Sequence, residues 1–407
     1  MPAHATHPAP LARLDPESRN PPRLVGLAWG LLALNTLGSQ GTTTLVTIPQ
    51  EVYQLITMGS LTLAFALALL HNPRLRIRPN AYLLSLTLLL AVSTIGTAQL
   101  ETGAGGVFRW CRLALFIATL WLLSRWWDGT LAFVRYHIRF LVCMLGTVVI
   151  GLVVAPGLAM PATYDGRLVG ALWPLTAPQV GQYAAVAAGL TIVLWLGRRT
   201  DGRSVLFVAL PAVGILLLSY TRTATLGFIA GLGAAALALL FSTKRARGFA
   251  AAGAAVAAVA LVAFAPLVET WFRRGQDDEN FENLTGRQKV WDALLAEPRS
   301  TVEQLFGTGL SNKSFDGLPI DSGWLAVYHE QGLVSVAIVV VFLGTLLVTT
   351  ALRPPSTGRS CAVFLIAYCL VASYTEAGLG DASPYLLYLA IAASLLGPAP
   401  RTNTAAT

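Results

Sequence analysis

Long apolar stretches alternate with short polar segments along most of this sequence. About 20 consecutive apolar residues cross the hydrocarbon core of a bilayer as a helix, and only helices or closed barrels satisfy their backbone groups there. By this measure the pattern predicts twelve membrane-spanning helices, at residues 24–40, 52–71, 80–99, 107–125, 136–155, 178–197, 203–219, 222–242, 248–266, 323–351, 359–375 and 382–398. The sequence therefore predicts an all-α polytopic membrane protein.

Lysine and arginine predict the orientation of these helices, because both residues accumulate in short cytoplasmic loops. Every second connection is rich in them. The basic tails and connections contain Arg13, Arg19, Arg23, Arg74, Arg76, Arg78, Arg125, Arg135, Arg139, Arg198, Arg199, Arg203, Lys244, Arg245, Arg247, Arg353, Arg359 and Arg401. The connections between these contain few basic residues, so we expect both termini to be cytoplasmic.

The composition of the chain agrees with a membrane protein, and the predicted helices divide the chain into tails, helical regions and one large loop. Of the 407 residues, 55% are hydrophobic and only 12% are charged, and the mean hydropathy is +0.63. We expect a disordered cytoplasmic tail at 1–23, helices one to nine within 24–266, a large external loop at 267–322, helices ten to twelve within 323–398 and a second tail at 399–407. The chain has a net charge of +8, whereas ten acids and six bases give the external loop −4. Topology thus explains the positive charge, and we expect no nucleic-acid partner.

Part of the external loop has the pattern of an amphipathic helix. In "ENLTGRQKVWDALLAEP", Thr285 and Gln288 have the spacing of a capping box, apolar residues recur along one face, and Pro298 ends the run. This places Arg287 in the first turn, where free backbone amides favour an anion, with Lys289 close by. The segment therefore predicts an anion-binding group outside the membrane.

Several other external arginines are not explained by topology. Arg109 and Arg112 share a face at the outer end of the fourth helix, Arg167 lies in "YDGRLVGALWPLTAPQ", and Arg222 lies in a very tight turn, "LLLSYTRTATLGF". Such residues usually have a partner at membrane depth. One interpretation pairs Arg222 with an acid, the candidates being Glu376, Asp381 and Asp321. The other brings Arg167, Arg222 and Arg287 to one external cavity, where guanidinium groups could bind a pyrophosphate.

The stretch "DSGWLAVYHEQGLVSVAIVVVFL" begins with Asp321, where the external loop returns to the membrane. Asp321 could cap the helix that follows, or it could handle a substrate. His329 could be a buried polar residue paired within the bundle or, with an unperturbed pKa of about 6.5, a proton acceptor. Glu330 could be a salt-bridge partner.

Five short motifs, in this order and with this topology, resemble those of the O-antigen ligase/polymerase superfamily, and in particular the ligases that attach O-antigen to lipid A-core. They are "GRLVGALWPLTAPQ", "SYTRTA", "TGRQKVW", "LFGTGL" and "DSGWLAVYHEQGL". The last motif departs from the family pattern, which begins His-Asn. Asp321 and Ser322 occupy those places here, and Ser335 stands where a second glycine is typical. Asp321 therefore matches the family histidine by position, and His329 matches it by chemistry.

The resemblance implies a fold like that of GT-C glycosyltransferases and a metal-independent, cofactor-free transfer at the periplasmic face of the bacterial inner membrane. The donor would be O-antigen linked to undecaprenyl pyrophosphate, the acceptor would be lipid A-core, and membrane lipid would surround the protein. On this hypothesis Arg287 has a catalytic role and binds pyrophosphate together with Arg167, Arg222, Lys289 and Arg112. Asp321 or His329 would accept the proton of the acceptor hydroxyl, and one displacement would invert the anomeric configuration.

Two alternatives remain open at this point. A polymerase would use the same donor but a lipid-linked glycan as acceptor. A secondary transporter with twelve helices would share the helix count and the orientation, although transporters usually show repeated halves with polar residues at mid-membrane. Here the polar candidates lie at the external helix ends.

Overall fold

A computed structural model describes residues 21–38, 43–99, 103–240, 243–263, 270–271, 286–311 and 313–397. Most of the two predicted tails and residues 272–285 of the predicted external loop lie outside the described residues. Within the described residues the regular secondary structure is helical except for a small hairpin of two-residue strands, β1 (Ser314–Phe315) and β2 (Leu318–Pro319), in which Ser314 pairs with Pro319.

The helices follow the apolar pattern of the sequence. They are α1 (Arg23–Asn35), α2 (Gln50–His71), α3 (Ala81–Gln99), α4 (Gly103–Leu123), α5 (Ala132–Val154), α6 (Ala177–Leu196), α7 (Gly202–Leu218), α8 (Arg222–Leu239), α9 (Lys244–Ala263), α10 (Arg287–Ala296), α11 (Thr301–Phe306), α12 (Gly323–Leu352), α13 (Thr357–Ala372) and α14 (Pro384–Leu395). Short helical turns at Ser124–Trp126, Pro156–Ala159 and Ala162–Tyr164 join some of them.

Each of the twelve predicted stretches coincides with one of these helices. Seven helices of the described chain, α2 to α6, α8 and α12, are long and apolar enough to cross a membrane. Four others, α1, α7, α13 and α14, are apolar but shorter. The prediction of an all-α polytopic membrane protein is confirmed, and the number of twelve crossings stays a prediction.

Helices α6 and α14 form the centre of the bundle, and small residues let their neighbours approach. In α6 the window of membrane-spanning length is 89% buried, and all residues of α14 from Tyr385 to Leu395 are buried. A Cβ placed on Gly189 of α6 would lie 2.0 Å from the ring of Phe364 in α13, and one on Gly231 of α8 would lie 2.8 Å from the carbonyl oxygen of Phe364. Since lipid is as apolar as the helices, such close packing is what holds them together.

Helix α12 is broken at Gly332, where φ is 74° and ψ is −179°. The break frees the carbonyls of His329 and Glu330, which accept hydrogen bonds from the amides of Thr308 (2.8 Å) and Gly309 (3.0 Å). A Cβ on Gly332 would lie 2.3 Å from the backbone of Leu305. The "LFGTGL" motif therefore packs directly on the break in the last motif, which explains its glycines.

Helix α10 lies against the start of α12. Leu294 is fully buried and packs with Ile320 and Ala326, and Trp291 contacts Tyr374 edge to face, with their ring centroids 5.6 Å apart. The helix begins at Arg287, with Gly286 at the N-cap position and φ of 82°. Thr285 of the expected capping box lies outside the described residues, so that capping box stays a prediction.

Candidate functional site

A polar cavity of about 160 Å³ lies at one end of the bundle, where six segments meet. Its lining residues are Arg167, Pro178, Thr221, Arg222, Thr223, Arg287, Asp321 and Glu376. Four residues predicted from the sequence, Arg167, Arg222, Arg287 and Asp321, thus lie around one cavity although more than 150 positions separate the first from the last. Glu376, from the connection between α13 and α14, joins them.

Arg222 owes its position to a three-residue turn between α7 and α8. Tyr220 adopts a left-handed conformation, with φ of 49°, and the Thr221 hydroxyl donates to the carbonyl of Ala177 over 3.0 Å. Gly181 of α6 allows this approach, because a Cβ there would lie 2.7 Å from the Cβ of Thr221. The turn is thereby fixed on the start of α6, and Arg222 becomes the first residue of α8.

Arg167 lies in the segment between α5 and α6, which is tied to α7 by the hydrogen bond from the Leu168 amide to the Leu218 carbonyl (3.0 Å). Its guanidinium donates from Nε to the carbonyl of Ser219 over 3.1 Å. Burial lowers the pKa of Arg167, and the carboxylate of Glu376 opposes this shift. An arginine starts from so high a pKa that the side chain stays a cation.

Arg287 contacts both carboxylates of the cavity. Its Nε donates to Oδ2 of Asp321 over 3.1 Å, and its Nη2 lies 3.9 Å from Oε1 of Glu376. Burial raises the pKa of Glu376 to about 7, although Arg287 favours the charged form. A hydroxyl pair 2.6 Å apart, Thr223 with Thr375, links the start of α8 to the residue before Glu376.

The N-termini of four helices face this cavity. Pro178 is in the first turn of α6, Arg222 and Arg287 are the first residues of α8 and α10, and Asp321 precedes the Ser322 cap of α12. Each N-terminus contributes roughly half a positive charge and free backbone amides. The described lining residues include three guanidinium groups and two carboxylates, so they are suited to an anion with several oxygens, such as a diphosphate.

Ser322, rather than Asp321, caps α12, because its Oγ accepts from the amide of Leu325 over 3.4 Å. The alternative in which Asp321 serves as the cap is therefore wrong. Two of the acids considered as partners of Arg222 contact Arg287, which binds Asp321 and approaches Glu376.

His329 is not among the residues that line the cavity. It is buried, and Nη2 of Arg299 donates to its Nδ1 over 2.9 Å. The Arg299 guanidinium also stacks on the ring of Tyr328, 4.9 Å from its centroid, and Phe315 contacts His329 edge to face. Because an arginine only donates, the lone pair of Nδ1 is occupied and the imidazole is held with its proton on Nε2.

The structure also places Arg112 and Lys289 outside the cavity. Nη2 of Arg112 donates to the carbonyls of Asn35 (2.7 Å) and Ala382 (3.3 Å), so this guanidinium joins α4 to α1 and to the segment before α14. Lys289 is exposed on α10.

Arg109 belongs to a second charged cluster with Glu330, Lys313 and Asp381. Glu330 accepts hydrogen bonds from the Ser311 amide (3.0 Å) and the Lys313 amide (3.0 Å), and one of its oxygens lies 3.9 Å from Arg109. Nζ of Lys313 lies 3.0 Å from Asp381. Burial disfavours the charged form of Asp381, but Lys313, Arg112 and Arg109 hold its pKa well below the usual range. These contacts tie the hairpin to α4 and α12.

The sequence interpretation assigned Glu376 only as a possible partner of an arginine. Its one signal was an acid in "SYTEAGLGDASP", at the external end of a predicted span, where acids are uncommon without a partner. Its position beside Asp321 depends on α13 lying next to α12, which no local pattern predicts.

The fold and the site together define a multi-pass helical membrane protein with an arginine-rich cavity at the N-termini of its helices. The family model described as O-antigen ligase matches residues 206–334. This match confirms the family resemblance predicted from the motifs. The matched segment contains Arg222, Arg287 and Asp321. A search of curated proteins found no match to the chain. The match supports an activity of the O-antigen ligase or polymerase type.

Proposed function

We propose that this protein is an O-antigen ligase, which transfers O-antigen polysaccharide from undecaprenyl pyrophosphate to a sugar hydroxyl of lipid A-core. The transfer takes place at the periplasmic face of the bacterial inner membrane, with both termini cytoplasmic, on a GT-C-like arrangement of twelve helices. One observation carries the proposal: three arginines and four helix N-termini surround one cavity, in a chain whose central segment matches the ligase family.

In this proposal the cavity binds the diphosphate of the donor. Arg167, Arg222 and Arg287 contact its oxygens, and the backbone amides at the starts of α8 and α10 add further donors. When the bond between the anomeric carbon and the phosphate oxygen breaks, negative charge develops on the diphosphate. Fixed cations at that point stabilise the transition state more than the ground state. Transfer then requires no metal ion.

The acceptor hydroxyl forms the new bond to the anomeric carbon and loses its proton to a carboxylate of the cavity. Asp321 is held by Arg287, so its role is to orient that guanidinium. Glu376 is the proposed proton acceptor, because its pKa of about 7 suits a base at neutral pH. His329 has its free lone pair occupied by Arg299 and lies outside the lining, which favours a structural role. A single displacement inverts the anomeric configuration.

A polymerase is the alternative proposal. It would use the same diphosphate site, so the arginine cavity supports either enzyme, and the two differ only in the acceptor. The family match favours a transferase over a secondary transporter.

The deciding experiment is a transfer assay with purified protein, lipid-linked O-antigen and lipid A-core, with a metal chelator present. We expect a conjugate of O-antigen with lipid A-core. Elongation of the lipid-linked glycan without conjugate would identify a polymerase, and failure of both reactions with a well-folded protein would refute the proposal.

A further inference from the structure

A second and larger cavity, of about 620 Å³, lies between α1 and α5. Its lining residues are Pro21, Arg23, Gly26, Leu27, Gly30, Ala132, Arg135, Tyr136, Arg139 and Phe140. Gly26 allows close packing, because a Cβ there would lie 2.8 Å from the ring of Tyr136, whereas a Cβ on Gly30 would meet no atom within 4 Å. The two helices therefore touch at one glycine and leave an open groove beside the next.

This groove lies at the opposite end of the bundle from the arginine cavity. Arg135 is in the first turn of α5, and Arg167 lies in the segment that follows the last turn of the same helix. The 20 residues from Arg135 to Val154 span roughly 29 Å at 1.5 Å of rise per residue, which is close to the thickness of the hydrocarbon core. The groove is thus too distant to share a headgroup with the diphosphate site.

The described residues that line the groove carry charge of one sign. Three arginines line it, namely Arg23, Arg135 and Arg139, and no acid is among the described residues of its lining. Its other walls are apolar or small except at Tyr136, whose hydroxyl donates to the carbonyl of Pro21 over 3.3 Å. Leu27 is 50% exposed on the outer surface of α1. A ligand that fits has phosphate oxygens at the arginine end and hydrocarbon along Leu27, Gly30 and Phe140. A soluble anion would match only the first half of this surface.

We propose that this groove binds one anionic phospholipid, such as phosphatidylglycerol or cardiolipin, from the leaflet opposite to the arginine cavity. Basic pockets between helices at this level of a membrane suit acidic lipid headgroups, because each Lys or Arg near the surface adds about 1 kcal/mol of attraction. Guanidinium groups also bind phosphate oxygens in a two-pronged geometry. The lipid would fill the space beside Gly30 and hold α1 against α5 at this end.

The proposal is tested by native mass spectrometry of the purified full-length protein, titrated with phosphatidylglycerol, cardiolipin, phosphatidylethanolamine or inorganic phosphate. We expect retention of one acidic lipid, little phosphatidylethanolamine and no phosphate. Arg135→Gln and Arg139→Gln should each weaken binding of the acidic lipid about fivefold. The matched control is Arg199→Gln with Arg203→Gln, because these exposed arginines lie at the same end of the bundle outside the groove.

A second variant tests the shape of the groove without changing its charge. Gly30→Leu places a side chain in the open space and should displace the lipid, whereas Gly59→Leu, at another helical glycine with open space beside it, should not. Equal lipid retention in the arginine variants and their control would overturn the proposal, as would full retention in Gly30→Leu. So would a gain in lipid binding on removing residues 2–20, since that segment would then be the occupant.

Discussion

Arg287 donates from its Nε to Oδ2 of Asp321 over 3.1 Å, and this contact joins the first turn of α10 to the start of α12. Both residues belong to motifs that resemble the O-antigen ligase family, and both line the proposed diphosphate site. The contact orients a guanidinium whose other nitrogens face the cavity and Glu376.

Removal of the Arg287 guanidinium should reduce transfer strongly. We expect Arg287→Ala to lower kcat by about 10² to 10³, the usual effect of losing one preorganised donor that stabilises developing charge. Arg287→Lys should recover only part of the lost rate, because an ammonium group cannot donate two parallel hydrogen bonds as a planar guanidinium does. The rate of conjugate formation measures the effect. Lys289→Ala, at an exposed position of the same helix, is the control and should behave as the unchanged protein.

Arg222 should affect binding of the donor as well as its reaction. We expect Arg222→Gln to raise the KM for lipid-linked O-antigen and to lower kcat, because a diphosphate contact acts in both the ground state and the transition state. Initial rates over a range of donor concentrations separate the two. Arg203→Gln, on a helix at the other end of the bundle, should change neither parameter. An unchanged KM and kcat in Arg222→Gln would remove this residue from the site.

Asp321 and His329 should give different results when replaced. Asp321→Asn keeps the size of the side chain but weakens its hold on Arg287, so we expect transfer to fall while the unfolding temperature changes little. His329→Ala removes one of the two acceptors of Arg299 Nη2, the other being Glu297. Because the Arg299 side chain is only 3% exposed, this change should destabilise the protein by about 1–3 kcal/mol. Folded His329→Ala should still catalyse transfer. Loss of transfer with normal folding would instead identify His329 as the group that accepts the proton of the acceptor hydroxyl.

The pH dependence of the transfer rate should follow the ionisation of the Glu376 carboxyl group. A base acts only when it is deprotonated, so the rate should rise with pH through about 7, where the pKa of Glu376 lies. Bound diphosphate adds negative charge and should shift the midpoint in kcat above that in kcat/KM. Glu376→Gln should be slow and lose this rise, and Glu376→Asp should recover part of the rate. A rise that persists in Glu376→Gln would mean that another group takes the proton.

The break in α12 should require glycine. Gly332→Ala places a Cβ 2.3 Å from the backbone of Leu305 at a φ of 74°, so we expect a loss of at least about 1–3 kcal/mol in stability. Gly344→Ala, in the same helix with open space around it, should be neutral or stabilising by up to about 1 kcal/mol. Thermal unfolding in detergent compares the two. A neutral Gly332→Ala would show that the segment after α11 does not depend on the break.

The sequence predicted the structure best where the physical signal is local. Every apolar stretch became a helix because a bilayer leaves the backbone no other partner. Arg167, Arg222 and Arg287 could be identified as unusual because positive charge at external helix ends is uncommon without a partner or a ligand. The same reasoning grouped Arg112 and Lys289 with them, and it had no means of telling that Arg112 would bond to Asn35 and Ala382.

The sequence by itself determined the class of this protein, its helices and the charged residues at unusual positions. These features can be read from the length, hydropathy and charge of single segments of the chain. Only the tertiary structure decided which of those residues meet. In the fold, Arg287 pairs with Asp321, and Arg299 donates a hydrogen bond to His329. Glu376, from near the end of the chain, lines the same cavity as Arg287. The reason is physical: helix ends converge through packing at glycines such as Gly181 and Gly332, and the partner of each close approach lies many residues away.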